Sequence, residues 1–262
     1  VINQGQILAD TPDAEIEIRG QEIINEGELQ ATKTGSVFTV SELINEGTIE
    51  ATGGGRTNIG GTWVNRGNLT ADGGTVTLNN RGTLISGNIA LRNSGSMILA
   101  AAVDNRGHVL SLDTANGSFA LQGGRINGGT IDGVADSTIT VAGTSGLEGV
   151  MLDANVVVNN GAVLEIVESL TIKKRITLGN NSSLDFLEGG PYELAGGGEI
   201  VFSSSDSASP SRIQLEGSTT VTIGSDIKVH GGFGVIGQHR SRAGEDIVIN
   251  NGQILADVAG RT

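Results

Sequence analysis

The sequence contains no cysteine, so disulfides and thiolate chemistry are closed to it, and the fold must hold by packing and backbone hydrogen bonds. Proline occurs only 3 times, which excludes collagen despite 42 glycines, because a triple helix needs proline-rich triplets with glycine at every third place. Phe, Tyr and Trp number 5, 1 and 1, so a core must be assembled from Val, Ile, Leu and Ala in thin, repeated layers. Basic residues are scarce. With 16 Lys and Arg against 29 Asp and Glu, the net charge is −13, which leaves no surface to neutralise phosphates; no nucleic-acid partner is expected. The one dense basic run, Lys173-Lys174-Arg175, reads as an exposed turn. No apolar run reaches the length of about 18 residues that a membrane-spanning helix needs. No signal peptide or initiator Met is seen, and a chain opening at Val1 in mid-pattern reads as a mature product or an excised window. Nor does any stretch of a dozen residues keep a helical period, and glycine interrupts every candidate helix.

What the sequence has instead is repetition. It opens "VINQGQILAD" and returns to "VINNGQILAD" at 248–257, matching at nine of ten positions. The phrase apolar-Asn-x-Gly-x-apolar recurs around Asn3 and Gly5, Asn25 and Gly27, Asn45 and Gly47, Asn65 and Gly67, and finally Asn250 and Gly252. The first four of these asparagines are almost evenly spaced, with looser echoes at Asn80, Asn93, Asn105 and Asn159. Short segments such as "AEIEI" (14–18), "TVTL" (75–78), "STITV" (137–141) and "TTVTI" (219–223) place an apolar residue at every second position, the signature of a strand with one buried face.

A period of about 20 residues leaves room for three short strands, too few to cover a core of their own. Stacked on the next repeat, they form three parallel sheets around a narrow apolar interior. The expected fold is therefore all-β: a single-stranded parallel β-helix (β-solenoid) with three short strands per coil of about 20 residues. It should be right-handed, since the hexapeptide rhythm of left-handed β-helices is absent. Ordinary hairpin turns would favour adjacent Asn-Gly rather than a split pair. Asn and Gly at the corners are expected because both tolerate positive φ, and asparagines repeated at one corner can stack their amides along the axis. Ile7, Leu29, Ile49, Leu69 and Ile254 are expected to form the inward stack.

The repeated decapeptide implies two nested periods. Residues 1–247 read as one solenoid unit of about twelve coils, rising roughly 58 Å at the interstrand spacing, and 248–262 as the start of the next copy. With no polar capping coil, the expected partners are further copies of the same unit end to end, in a covalent tandem array rather than as separate subunits. Two stretches leave the coil rhythm: the Ser-rich "SSSDSASPS" (203–211) and "QHRSRAGED" (238–246).

Phrases such as "LINEGTIEATGGG" (43–55), "GGTWVNRGNLTADGGTVTL" (60–78) and "TIGSDIKVHGGFGVIG" (222–237) resemble repeats of giant secreted proteins of environmental bacteria, broadly similar to filamentous-haemagglutinin and autotransporter-passenger β-helices. The resemblance implies an extracellular or cell-surface fibre or adhesin shaft, with an extracellular polysaccharide or cell-surface target as a further partner. It supplies no catalytic residue, and no enzyme activity, cofactor or metal is expected. Gly232 to Gly237 matches G-x-G-x-x-G, but no helical pattern follows to receive a pyrophosphate. His108, His230 and His239 are scattered without a second ligand at metal spacing. "GGRINGGTIDG" (123–133) only approaches the calcium-binding nonapeptide. The alternative is a polysaccharide-binding or polysaccharide-cleaving β-helix, for which Asp132 with Asp136, or Asp153 with Glu148, could supply a carboxylate pair. Trp63 and Tyr192 are too isolated to build a sugar platform.

Overall fold

A computed structural model describes residues 1–84, 87–114, 116–134, 136–242 and 244–258, and among these every regular element is a strand. No helix is long and apolar enough to cross a membrane. The chain is a β-solenoid in which neighbouring coils pair through parallel ladders. It divides into two compact units, Val1–Thr138 and Ile139–Thr262; residues 259–262 of the expected second copy lie outside the described residues.

In the first unit, one row of strands contains Gln6–Ala9, Glu28–Ala31, Thr48–Thr52, Asn68–Asp72 and Asn88–Arg92. A second row pairs Ile2–Asn3 with Ile23–Asn25, and that strand with the end of Val37–Asn45. The third begins at Glu15–Ile18, which pairs with the start of the same strand. From this coil onward the third and second rows fuse into long bent strands, Val37–Asn45, Arg56–Asn65, Thr75–Leu84 and Gly95–Asp104. The bends in the first three of these contain one residue with positive φ: Glu42 at 53°, Gly61 at 62° and Asn80 at 67°. This conformation lets a strand turn sharply, and the ladder between Val37–Asn45 and Arg56–Asn65 shifts register at the bend, between Ser41 and Leu43.

The interior follows from alternation. Leu29, Ile49 and Leu69 are registered with one another and are 0%, 0% and 1% exposed. Two positions further along each strand, Ala31, Ala51 and Ala71 form a second buried stripe. Each of the larger side chains contributes roughly 1.5–3 kcal/mol by leaving water. Leu43, Trp63 and Gly82 are also registered, and a Cβ on Gly82 would run into the Trp63 ring. The large ring thus fits the narrow interior because its neighbour has no side chain, and its Nε1 donates to the Asn79 carbonyl at 2.9 Å.

In the second unit three rows run without fusion. They are Thr144–Glu148, Val163–Val167, Ser183–Phe186, Ser211–Leu215 and Gly234–Gln238; Met151–Asp153, Leu170–Ile172, Tyr192–Ala195, Thr220–Ile223 and Ile247–Asn250; and Asn155–Val158, Arg175–Leu178, Glu199–Phe202, Lys228–Gly231 and Gln253–Ala256. Coil length varies here. Val156 registers with Ile176, but the step from Ile200 to its counterpart Val229 is longer, because the 203–211 excursion is carried in that coil. The returning phrase at 248–257 forms a real coil on its predecessor, with Val229 opposite Ile254.

Candidate functional site

The asparagines of the first four phrases, Asn3, Asn25, Asn45 and Asn65, are buried and joined. Asn3 Nδ2 donates to Asn25 Oδ1 at 2.8 Å, Asn25 Nδ2 to Asn45 Oδ1 at 2.7 Å, and Asn45 Nδ2 to Asn65 Oδ1 at 2.7 Å. Each of these amides also reaches carbonyls of its own and the next coil, as Asn25 Nδ2 does with Thr48 O at 3.2 Å. Among the described residues the ladder runs from Asn3 to Asn65.

The reason expected for these corners needs correction. None of Asn3, Asn25, Asn45, Asn65 and Asn250, and none of Gly5, Gly27, Gly47, Gly67 and Gly252, has positive φ. Glycine is required instead by close stacking. A Cβ on Gly27 would collide with the Gly5 carbonyl oxygen, on Gly47 with that of Gly27, and on Gly67 with that of Gly47. Positive φ is found in the looser echoes, at Gly107 and Gly161. Gly5 has nothing within 4 Å of its missing Cβ. Gly47→Ala is therefore expected to cost about 1–3 kcal/mol, the scale of an overpacked core, while Gly5→Ala, the same place in the phrase, stays within about 0.5 kcal/mol; urea titration of both variants reads the difference.

Two members of the expected inward stack depart from it. Ile7 is half-buried, and Ile254 is 45% exposed. Ile254 belongs to the row of Val229 rather than to one matching Ile7, and among the described residues it is covered by a coil on one side only. Asn250 is likewise exposed, its Oδ1 accepting the Gly252 N–H at 3.2 Å.

The other candidates also have definite places. Gly234–Gln238 is a strand paired with Ser211–Leu215, so the glycine motif opens no helix. Asp132 and Asp136 are exposed, and Asp153 pairs with Lys173 at 3.4 Å. His230 lies between two carboxylates, Asp257 Oδ2 at 2.9 Å from Nδ1 and Glu199 Oε2 at 3.1 Å from Nε2. Burial pulls the Glu199 carboxyl upward, but hydrogen bonds from Arg175 and His230 outweigh it and hold the group below the ordinary glutamate range. A depressed folded value stabilises the fold above the ordinary range, and that stability is lost as pH falls through it. Glu199→Gln should accordingly lower the melting temperature at pH 7, with the gap to the parent protein narrowing as pH is taken down through the glutamate range.

The feature that alternation did not foretell is on the outward face of the second unit. Ser183–Phe186 and Ser211–Leu215 are buried on both faces. Their outward residues Asp185, Arg212 and Gln214, with Glu216 just beyond, are 4%, 6%, 8% and 6% exposed. Both stretches that leave the coil rhythm converge here. The first is tied down by the Asn181 N–H donating to Ser209 O at 2.8 Å, and Arg212 Nη1 donates to Asn181 Oδ1 at 2.7 Å. The second is strapped by the Gly217 N–H to Arg242 O at 3.1 Å and the Thr219 N–H to Asp246 Oδ1 at 3.0 Å, with Arg242 Nη1 bonded to Glu216 Oε2; Ala243 lies outside the described residues. Gln214 Nε2 donates to Asp185 Oδ1 at 3.1 Å. Burial pushes the Asp185 carboxyl upward, against hydrogen bonds from Ser183 and Gln214.

The fold thus brings His239 beside two acids far from it in sequence, contrary to the expectation of scattered histidines. The available signal was the polar content of "SLDF" and of "SRIQL", the latter directly following the first rhythm-breaking stretch. Loops that fold back over a strand turn its outward face into an interior, and outward residues there are no longer free to be anything soluble. Compared with protein-family models, curated proteins and solved structures, the chain matches none.

Proposed function

We propose that this chain is a structural segment of an extracellular or cell-surface fibre or adhesin shaft, built by end-on stacking of coils. The observation that carries the reading is the buried asparagine ladder above glycines that admit no side chain. Sequence has been committed there to holding coils at close, uniform spacing, and to nothing catalytic. Backbone hydrogen bonds of all rows run from coil to coil, so axial load is shared among many bonds of ~1 kcal/mol net each, together with the apolar stripes. Further copies of the same unit, continuing the stack end to end, are the partners this reading implies. The likeness of the repeats to secreted bacterial fibre proteins favours display outside the cell. Against sugar cleavage stand Trp63 and Tyr192, both buried and unable to offer a ring to a saccharide.

Atomic force microscopy of proteins carrying one, two and three copies in tandem tests this. Thin rods of constant width, lengthening in proportion to copy number, are expected. Beaded chains of separate globules would end the reading.

A further inference from the structure

The covered outward face of the second unit holds a donor set that the shaft reading does not use. Asp185, Glu216 and His239 each bring one ligand atom to within 4.8 Å of the others. They come from three successive coils: Asp185 from Ser183–Phe186, Glu216 from just after Ser211–Leu215, and His239 from just after Gly234–Gln238. We propose that these three residues form a binding site for a divalent transition metal of the zinc class, which staples three coils together where the solenoid carries its two excursions.

The donor chemistry selects the ion. One imidazole nitrogen with two carboxylate oxygens suits Zn²⁺ or Mn²⁺, whereas Ca²⁺ takes six to eight oxygens. Charge favours it as well. Asp185 and Glu216 are both more than nine-tenths buried, yet one guanidinium, that of Arg242, serves Glu216 Oε2. Asp185 is hydrogen-bonded by the neutral groups of Gln214 and Ser183, while Arg212 on the same strand gives Nη1 to Asn181. The two buried carboxylates bring oxygens within 4.8 Å of each other, and a dication between them would relieve a repulsion that the Arg212 and Arg242 guanidiniums offset only in part.

The geometry is close to ready. Glu216 Oε1, the oxygen Arg242 leaves free, lies 3.9 Å from His239 Nε2. Donors bound to tetrahedral zinc lie about 3.5 Å apart, given bonds of roughly 2.1 Å, so small side-chain rotations close the site. His239 Nδ1 is 3.3 Å from Ser241 Oγ, an acceptor for the Nδ1 proton that leaves Nε2 to the metal. In the structure the Ser241 N–H donates to the same nitrogen at 3.2 Å, so metal binding at Nε2 requires that bond to be given up, which the exposed Ser241 can do to water.

The full chain, stripped with EDTA, is titrated separately with ZnCl₂, MnCl₂ and CaCl₂ by calorimetry, and melted with and without each salt. One Zn²⁺ per chain with a raised Tm is expected, and weaker binding of Ca²⁺. His239→Ala, at a half-buried position outside the strands, should weaken Zn²⁺ binding at least tenfold, while His108→Ala leaves it unchanged. Arg242→Ala should tighten Zn²⁺ several-fold by freeing Glu216 Oε2, a gain that an ion pair of purely structural role would not give. Absence of saturable Zn²⁺ uptake, full uptake by His239→Ala, or weakened uptake by Arg242→Ala each overturns the proposal.

Discussion

Ile49→Asp is expected to unfold the middle of the first unit, while Lys33→Asp leaves it standing. Ile49 is fully buried between Leu29 and Leu69, its registered neighbours in the coils on either side. Replacement removes roughly 1.5–3 kcal/mol of apolar burial and leaves an unpaired carboxylate whose desolvation costs several kcal/mol more. A loss above about 4 kcal/mol is a large share of a domain's whole stability. Lys33 is exposed, and a charge reversal there should change stability by no more than about 0.5 kcal/mol. Hydrogen exchange gives the sharper reading, because a stack of coils opens locally before it melts. Amides of Glu28–Ala31, Thr48–Thr52 and Asn68–Asp72 should lose protection in the first variant only. Equal melting of the two variants would mean that the inward face has been assigned to the wrong residues.

The second large effect is expected from Asn45→Leu. Leucine is close to asparagine in size and more apolar, so a core governed by hydrophobicity alone would accept it. Asn45 is fully buried and works in both directions, accepting from Asn25 Nδ2 and donating to Asn65 Oδ1, Asn68 O and Gly47 O. Leucine takes from the Asn25 amide its shortest bond, leaving it the Gly27 and Thr48 carbonyls, and strands the Asn65 amide oxygen above at a cost of about 1–3 kcal/mol in a buried site. With about 1 kcal/mol for the lost Asn25 bond, a total loss of about 2–4 kcal/mol follows, against almost none for Gln4→Leu, where the amide is exposed and its bond to Glu26 Oε2 can be replaced by water. Chemical denaturation of both variants separates a ladder that holds the coils from one that merely decorates a corner. A neutral Asn45→Leu would remove the main support for the shaft reading.

These two residues also mark how far the sequence could be read. The stripe through Leu29, Ile49 and Leu69 was legible because a strand alternates its faces strictly and a constant coil period keeps the same residue above its counterpart. The amide ladder was legible for the same reason, since Asn25, Asn45 and Asn65 recur at that period. The glycines were legible as positions but not in their cause. Positive φ and lack of space both demand glycine and leave the same letter, and only the approach of the Gly27 carbonyl to Gly47 separates them. The left-handed bends of the fused strands fell on Glu42, Gly61 and Asn80, three residue types in one structural column, of which only Asn80 belongs to an echo of the repeated phrase.

The outward cluster was beyond reading for a further reason. Asp185, Glu216 and His239 meet because coils of unequal length bring them to one edge, and because Arg242 folds back over the face. The lengths of the excursions decide that register, and they obey no period. By itself the sequence determined the all-β solenoid, its interior stripes and its amide ladder, because each depends on a local alternation repeated at a fixed interval. Only the tertiary structure decided which outward side chains are buried, why each glycine is a glycine, and where acids and a histidine meet, because those depend on distances between segments that share no repeat.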